Sequence, residues 1–249
     1  MSDDWASVNV VTLKTAIIIP TYNERENLQD LVLQILAVLN ASGVDGSIIV
    51  VDDSSPDGTG DLAKELSVKH GRIIVLIREA KLGIGSAYKD GFRKALSLGF
   101  EGLIEMDADG SHNPQFIPAF VEKLEEGYEL VIGSRYVPGG KIPDWPLKRR
   151  IISKATGFFT RFIFSLKTHD PTSGFRAYSA TALKNINLSK VESDGYAFQV
   201  EMVVLCEKRR FRVCEIPIEF VDRGVGKSKL SWKESLRFMK AVLRLAFKT

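Results

Sequence analysis

Gly102-Leu-Ile-Glu-Met-Asp-Ala-Asp109 is a short apolar run that ends in two aspartates, Asp107 and Asp109. Side chains at i and i+2 of an extended strand point the same way, so both carboxylates can serve one target. At a strand end that target is most simply a hard divalent cation. Mg²⁺ or Mn²⁺ takes oxygen ligands and keeps positions open for a substrate diphosphate. The bland alternative is a solvated acidic turn, because an isolated Asp-x-Asp is a weak motif. The surrounding sequence decides between them.

Upstream lie Thr15-Ala-Ile-Ile-Ile-Pro20, Ser47-Ile-Ile-Val-Val-Asp-Asp53 and Arg72-Ile-Ile-Val-Leu-Ile77, and downstream Glu129-Leu-Val-Ile-Gly-Ser134. Short continuous apolar runs are the pattern of strands buried on both faces of a parallel sheet. Between them, Leu28, Leu31, Val32, Ile35, Leu36 and Leu39 recur at helical spacing before Gly43. Further helices are expected at about 59–70, from the glycine-rich Leu82–Ala87 stretch to about Leu98, and at about 114–126. Strands alternating with helices predict an α/β fold: a mostly parallel central sheet with helices on both faces.

After Tyr136 the pattern changes. Val137-Pro-Gly-Gly-Lys-Ile-Pro-Asp-Trp-Pro146 reads as a Pro/Gly loop, a lid or variable segment. Helices at about 147–166, 197–209 and 231–247 and a strand at 213–221 complete the pattern. No domain boundary or internal repeat is evident up to Tyr136. The expectation is one domain over residues 1–249, with a donor and metal half at about 15–136 and an acceptor half at about 137–249.

The chain is 45% hydrophobic, with 20 Gly and 9 Pro, which is ordinary for a folded protein with a core. A net charge of +3 gives no argument for a nucleic-acid partner. Cys206 and Cys214 form no disulfide framework or metal spacing, so reduced thiols are expected. The start, Met-Ser-Asp-Asp-Trp, does not read as a secretory signal, and no apolar run approaches the ~20 residues of a membrane span. A soluble or peripheral intracellular protein is the expectation.

Ligands of open α/β sheets bind beyond the carboxyl ends of the strands. Here three such ends are polar: Pro20 to Glu24, Asp52-Asp53, and Asp107 to Asp109. If adjacent, they make a crevice in which Asp52 or Asp53 can accept from a ribose or base while the later pair holds the cation. There is no Gly-x-x-x-x-Gly-Lys-Ser/Thr, which excludes a P-loop NTPase, and Gly83-Ile-Gly85 lacks the rest of a dinucleotide fingerprint. That glycine-rich helix start can still assist a phosphate. His70, His112 and His169 are not spaced as a zinc site; His112 is expected to support the aspartates.

Pro20-Thr-Tyr-Asn-Glu24, Val51-Asp-Asp-Ser-Ser-Pro-Asp-Gly58, Lys81-Leu-Gly-Ile-Gly85, Met106-Asp-Ala-Asp-Gly-Ser-His112, Gly133-Ser-Arg-Tyr136, Lys148-Arg-Arg-Ile-Ile-Ser153 and Phe220-Val-Asp-Arg223 with Ser228-Lys-Leu230 form a set. The set resembles the dolichyl-phosphate mannosyltransferases, inverting family 2 glycosyltransferases of the GT-A, Rossmann-like fold. The resemblance covers about residues 15–247. It implies transfer of mannose from GDP-mannose to dolichyl (polyprenyl) phosphate, giving the β-linked lipid sugar. It also implies that Pro20, Tyr22, Glu24, Val51 and Asp53 line the guanosine pocket. Asp107, Ala108 and Asp109 would lie along the sugar nucleotide, with Asp109 and Asp107 on Mg²⁺ or Mn²⁺. Ser111 stands where some relatives carry a glutamine that helps the metal. Arg135, Arg223 and Lys229 match the basic residues around the phosphates.

A phosphate monoester has a second pKa near 6, so such an acceptor is already mostly dianionic at neutral pH and needs no general base. What remains is to hold two anions together, align attack and stabilise the departing diphosphate. Asp107, Asp109 and Arg135 are therefore the expected catalytic set. Arg135, Arg149 and Ser153 are the candidates for the lipid phosphate.

The last helix sets Trp232, Leu236, Met239, Leu243 and Phe247 beside Lys233, Arg237, Lys240, Arg244 and Lys248. The helix at about 147–166 likewise sets Ile151, Ile152, Phe158, Phe159, Phe162 and Ile163 beside Lys148, Arg149, Arg150 and Arg161. Apolar-plus-basic helices suit a membrane interface. The expected partners are thus a membrane surface and, as in relatives without their own anchor, a small membrane-anchoring subunit. The expected location is peripheral, on the cytoplasmic face of the endoplasmic reticulum if eukaryotic or of the cell membrane if prokaryotic. Two other readings fit the same residues: a UDP-glucose-dependent relative, and a non-catalytic nucleotide-binding scaffold.

Overall fold

A computed structural model describes residues 13–143, 145–221 and 232–248. β1 (Thr15–Thr21), β2 (Gly46–Asp52), β3 (Ile73–Ile77) and β4 (Gly102–Glu105) are separated by α1 (Arg25–Ser42), α2 (Thr59–His70) and α3 (Ile84–Ser97). A 3-10 turn at Pro114–Phe116 leads into α4 (Ile117–Glu125) and β5 (Leu130–Ser134). There follow α5 (Leu147–Phe164), β6 (Arg176–Ser179), α6 (Ala180–Asn185), α7 (Tyr196–Lys208), β7 (Val213–Pro217) and α8 (Trp232–Lys248).

The strands form one sheet in the order β3-β2-β1-β4-β6-β5-β7. β6 is antiparallel to β4 and β5, and every other pair is parallel. The mostly parallel α/β sheet read from the sequence is present, with one strand that the reading missed. β6 is only Arg-Ala-Tyr-Ser, too short and too polar at its start to show a strand period. Arg176 tolerates full burial because its guanidinium donates to three carbonyls: Ser173 O at 2.5 Å, Gln199 O at 2.7 Å and Pro171 O at 2.7 Å. Those bonds tie β6 to the loop before it and to α7.

Why the central strands read as unbroken apolar runs is visible in the two cores. Ile17, Ile19, Ile48 and Val50 pack toward α1, α2 and α4; Ala16, Ile18, Ile49 and Val51 pack toward α3 and α7. None of these eight has exposed surface. Burying such side chains is worth roughly 1.5–3 kcal/mol each for the larger ones, so both faces must be apolar. Gly91 lets α3 lie close on the sheet, since a Cβ there would collide with Ile18.

The strand expected to reach residue 221 ends at Pro217, and Phe220 continues only as an isolated bridge to His112. The Pro/Gly loop is more fixed than a free lid. Lys141 N donates to Ile218 O at 2.9 Å and Phe220 N donates to Lys141 O at 3.0 Å. α5 buries only Gly157 and Thr160. Among the described residues no helix is long and apolar enough to cross a membrane.

Candidate active site

β1 lies between β2 and β4, so the three polar strand ends converge on one crevice. Their roles separate once hydrogen bonds are counted. Asp52 accepts from Thr21 Oγ1 at 2.9 Å, Ser55 Oγ at 2.6 Å and Ser55 N at 3.0 Å, which makes it the staple of the turn after β2. Asp53 is the neighbour with a charge partner: Arg78 Nη1 is 3.1 Å from its Oδ1, and Leu82 N donates to its Oδ2 at 3.3 Å. Burial raises the Asp53 carboxyl above its usual range, and Arg78 opposes that shift. Arg78 escaped the sequence reading; its only signal is an arginine directly after an apolar strand.

Tyr22 and Glu24 follow directly on β1. Lys81 Nζ stands 3.7 Å over the Tyr22 ring, and Glu24 N donates to Thr59 Oγ1 at 3.0 Å. Pro20 is half-buried and pairs in register with Val51. The side chains of Val51 and Ala108 do not face the crevice. Val51 is fully buried in the core beneath α3, where the strand period turns it, and Ala108, in the turn after β4, is buried in the opposite core.

Asp107 stands just beyond β4, held from two sides. Tyr88 donates its hydroxyl to Oδ1 at 3.0 Å. Asp107 N donates to His112 Nδ1 at 3.0 Å, which places the neutral ring's proton on Nε2, 3.9 Å from Asp107 Oδ2. His112 is itself clamped by Phe175, stacked at 4.9 Å, so its expected supporting place is the one it occupies. Asp109 Oδ1 accepts from Ser111 N at 3.0 Å across a turn in which Gly110 has φ +74. Ser111 Oγ is buried without a hydrogen-bond partner. Two carboxylates and an orphaned hydroxyl form an all-oxygen donor set, which fits a hard cation. No group of three or more His, Cys, Asp or Glu suited to a metal occurs among the described residues.

Arg135, expected among the basic residues around the phosphates, is held in a buried ion pair. Its Nε and Nη2 lie 2.7 Å from the two Asp170 oxygens, Nη2 reaches Thr172 Oγ1 at 3.0 Å, and its backbone N donates to Asp170 at 3.1 Å. Burial works against the Arg135 charge, yet Asp170 outweighs it and raises the guanidinium pKa. Burial likewise favours protonated Asp170, but Arg135 holds its carboxyl below the usual range. Much of Arg135's charge is therefore already matched inside the protein. Arg149 stacks on Trp145 at 3.9 Å, and Ser153 accepts from Tyr136 OH at 2.7 Å. Trp145, which no motif had flagged, also lies 5.5 Å from Arg135 Cζ. Arg223 and Lys229 lie outside the described residues, as do the side chains of Trp232, Lys233, Leu236, Arg237 and Lys248.

The sequence profile of glycosyl transferase family 2 matches residues 16–186. Polyprenol monophosphomannose synthase of Mycolicibacterium smegmatis is 44% identical over 221 residues, which covers 88% of this chain and 82% of that protein. Undecaprenyl-phosphate mannosyltransferase of Micrococcus luteus is 44% identical over 219 residues, covering 88% of each. Among solved structures, glucosyl-3-phosphoglycerate synthase from Mycobacterium tuberculosis with Mn²⁺, uridine diphosphate and glucosyl-3-phosphoglycerate superposes with a TM-score of 0.67 at 19% identity, over 94% of this chain and 80% of that one. Mannosyl-3-phosphoglycerate synthase from Rubrobacter xylanophilus gives 0.67 at 18%, over 94% and 73%. At such identities the likeness is one of fold, the GT-A arrangement expected from the sequence.

Proposed function

The chain belongs to glycosyl transferase family 2, and on that premise we propose that it transfers mannose from GDP-mannose to polyprenyl phosphate, with inversion at the anomeric carbon. The observation that carries this reading is the all-oxygen set at Asp107, Asp109 and Ser111, in a chain 44% identical to two relatives named for polyprenyl-linked mannose. Mg²⁺ or Mn²⁺ held there would neutralise the departing diphosphate.

Pro20, Tyr22, Glu24 and Asp53 receive the guanosine, with Arg78 keeping Asp53 ionised and in place. Tyr88 and His112 fix Asp107, so the carboxylate needs no reordering when donor arrives. Arg149, braced on Trp145, and Ser153 receive the acceptor phosphate, and Arg135 braces that wall through its pair with Asp170. Arg223 and Lys229 serve the diphosphate. Donor and acceptor thus meet between the two halves of one domain, about 15–136 and 137–249. The exposed Leu147, Ile151, Phe158 and Phe162 of α5 and Leu243 and Phe247 of α8 support docking on the cytoplasmic face of a membrane, alone or with a small anchoring subunit.

A panel of sugar nucleotides with polyprenyl phosphate tests the reading. GDP-mannose should be turned over, and both EDTA and Asp109→Asn should abolish transfer while the variant stays folded. Selective turnover of UDP-glucose would overturn the donor, and tight GDP binding without any transfer would overturn the enzyme reading.

A further inference from the structure

α5 carries two stripes side by side. Leu147, Ile151, Phe158 and Phe162 recur at helical spacing and are all exposed, Phe162 to 78%. Beside them Arg150, Lys154 and Arg161 recur at the same spacing and line a cavity of about 470 Å³ between α5 and the loop after β5. Gly157 lies on this second stripe and opens the space, since a Cβ there would meet only His169 O, at 3.9 Å. The apolar wall is Tyr136, Val137 and Ile142, with Phe158 at the rim. None of the described residues lining the cavity is acidic.

We propose that this cavity binds the phosphate headgroup of an anionic phospholipid, beside the wall of Arg149 and Ser153 that receives the acceptor phosphate. The inference rests on the membrane-docked reading above and deepens it. An interfacial helix sinks its apolar stripe about 5–10 Å below the headgroups, which leaves adjacent cations level with lipid phosphates. Arg150 is already oriented there, because its Nη2 donates to Ile142 O at 2.6 Å and Pro143 O at 2.8 Å. The Nε donors of Arg150 and Arg161 are buried and have no hydrogen-bond partner. Buried donors of that kind need acceptors, and phosphate oxygens supply several at once. Arg135, also in the lining, is already paired with Asp170 through its Nε and Nη2. Phe158 at the rim continues into the exposed stripe, so a lipid held by its headgroup keeps its chains in the bilayer.

The test is cosedimentation of the full chain with phosphatidylcholine vesicles, with and without phosphatidylglycerol. Lys154→Gln and Arg161→Gln should each weaken binding to the anionic vesicles about fivefold, the worth of one basic residue at a charged surface. Lys154→Arg should restore it. Binding to neutral vesicles and the KM for polyprenyl phosphate in detergent should stay at wild-type values. Unchanged affinity for anionic vesicles in both glutamine variants overturns the site while leaving membrane docking intact. A parallel rise in the acceptor KM in detergent also overturns it, by giving the cavity to the acceptor. Wild-type protein that binds neither vesicle overturns the docking reading and the site with it.

Discussion

Tyr88 donates its hydroxyl to Asp107 Oδ1 at 3.0 Å from a side chain with no exposed surface. The ring is stacked between Phe92 and Phe198, with centroids 6.3 and 6.1 Å away, so the hydroxyl has one place to go. That geometry depends on α3 lying close on the sheet at Gly91, one turn further along the helix. A packing glycine and a core tyrosine therefore set the rotamer of Asp107.

Tyr88→Phe removes one oxygen and leaves the packing in place. A hydrogen bond to a charged acceptor is worth about 1.5–3 kcal/mol. Mn²⁺ affinity of the protein with GDP should accordingly fall about tenfold or more, while the Tm stays close to wild type. Paramagnetic resonance titration of Mn²⁺ reads the first and calorimetry the second. Wild-type Mn²⁺ affinity would mean that His112 alone positions Asp107.

How much of this was legible beforehand follows from what each feature leaves in the sequence. β1, β2 and β4 were readable because burial on both faces forces continuous apolar runs. The carboxylates at their ends were readable because polar residues break those runs abruptly. β6 was not, since four residues starting with a buried arginine carry no period. Tyr88 was not legible either, since nothing local marks its hydroxyl. Arg135 stood out through the resemblance of Gly133-Ser-Arg-Tyr136, but its partner Asp170 is 35 residues away, and only the fold brings them together. Val51 and Ala108 stand inside motifs whose backbone runs past the crevice while their side chains point into the cores.

Arg78 and Asp53 predict a specific kinetic split. Arg78 Nη1 is 3.1 Å from Asp53, and its Nε is 3.4 Å from Asp90. Burial already pushes the Asp53 carboxyl up, and Arg78 restrains it. Arg78→Met removes the restraint, so Asp53 takes up a proton more readily. The KM for GDP-mannose should rise about tenfold, with kcat changing less, and should fall again as pH increases and Asp53 ionises. Steady-state kinetics across a pH series decides it. A wild-type, pH-independent KM would take Asp53 out of the nucleotide pocket.

Asp170 and Arg135 predict how stability depends on acid. Removing one member of a buried pair leaves the other charge uncompensated, at a cost of about 3–5 kcal/mol. Asp170→Asn should lower stability by that order near neutral pH, read by urea unfolding. The pH dependence has a definite sign. The folded-state pKa of Asp170 is depressed, so its contribution is fully present above the unfolded value of about 3.9 and is lost as pH falls through the folded pKa. The wild-type advantage over Asp170→Asn should be constant above about pH 5 and shrink below about pH 4 as the carboxylate is protonated. A gap that stays constant into acid would mean that the lost stability came from packing around residue 170 and not from the charge pair.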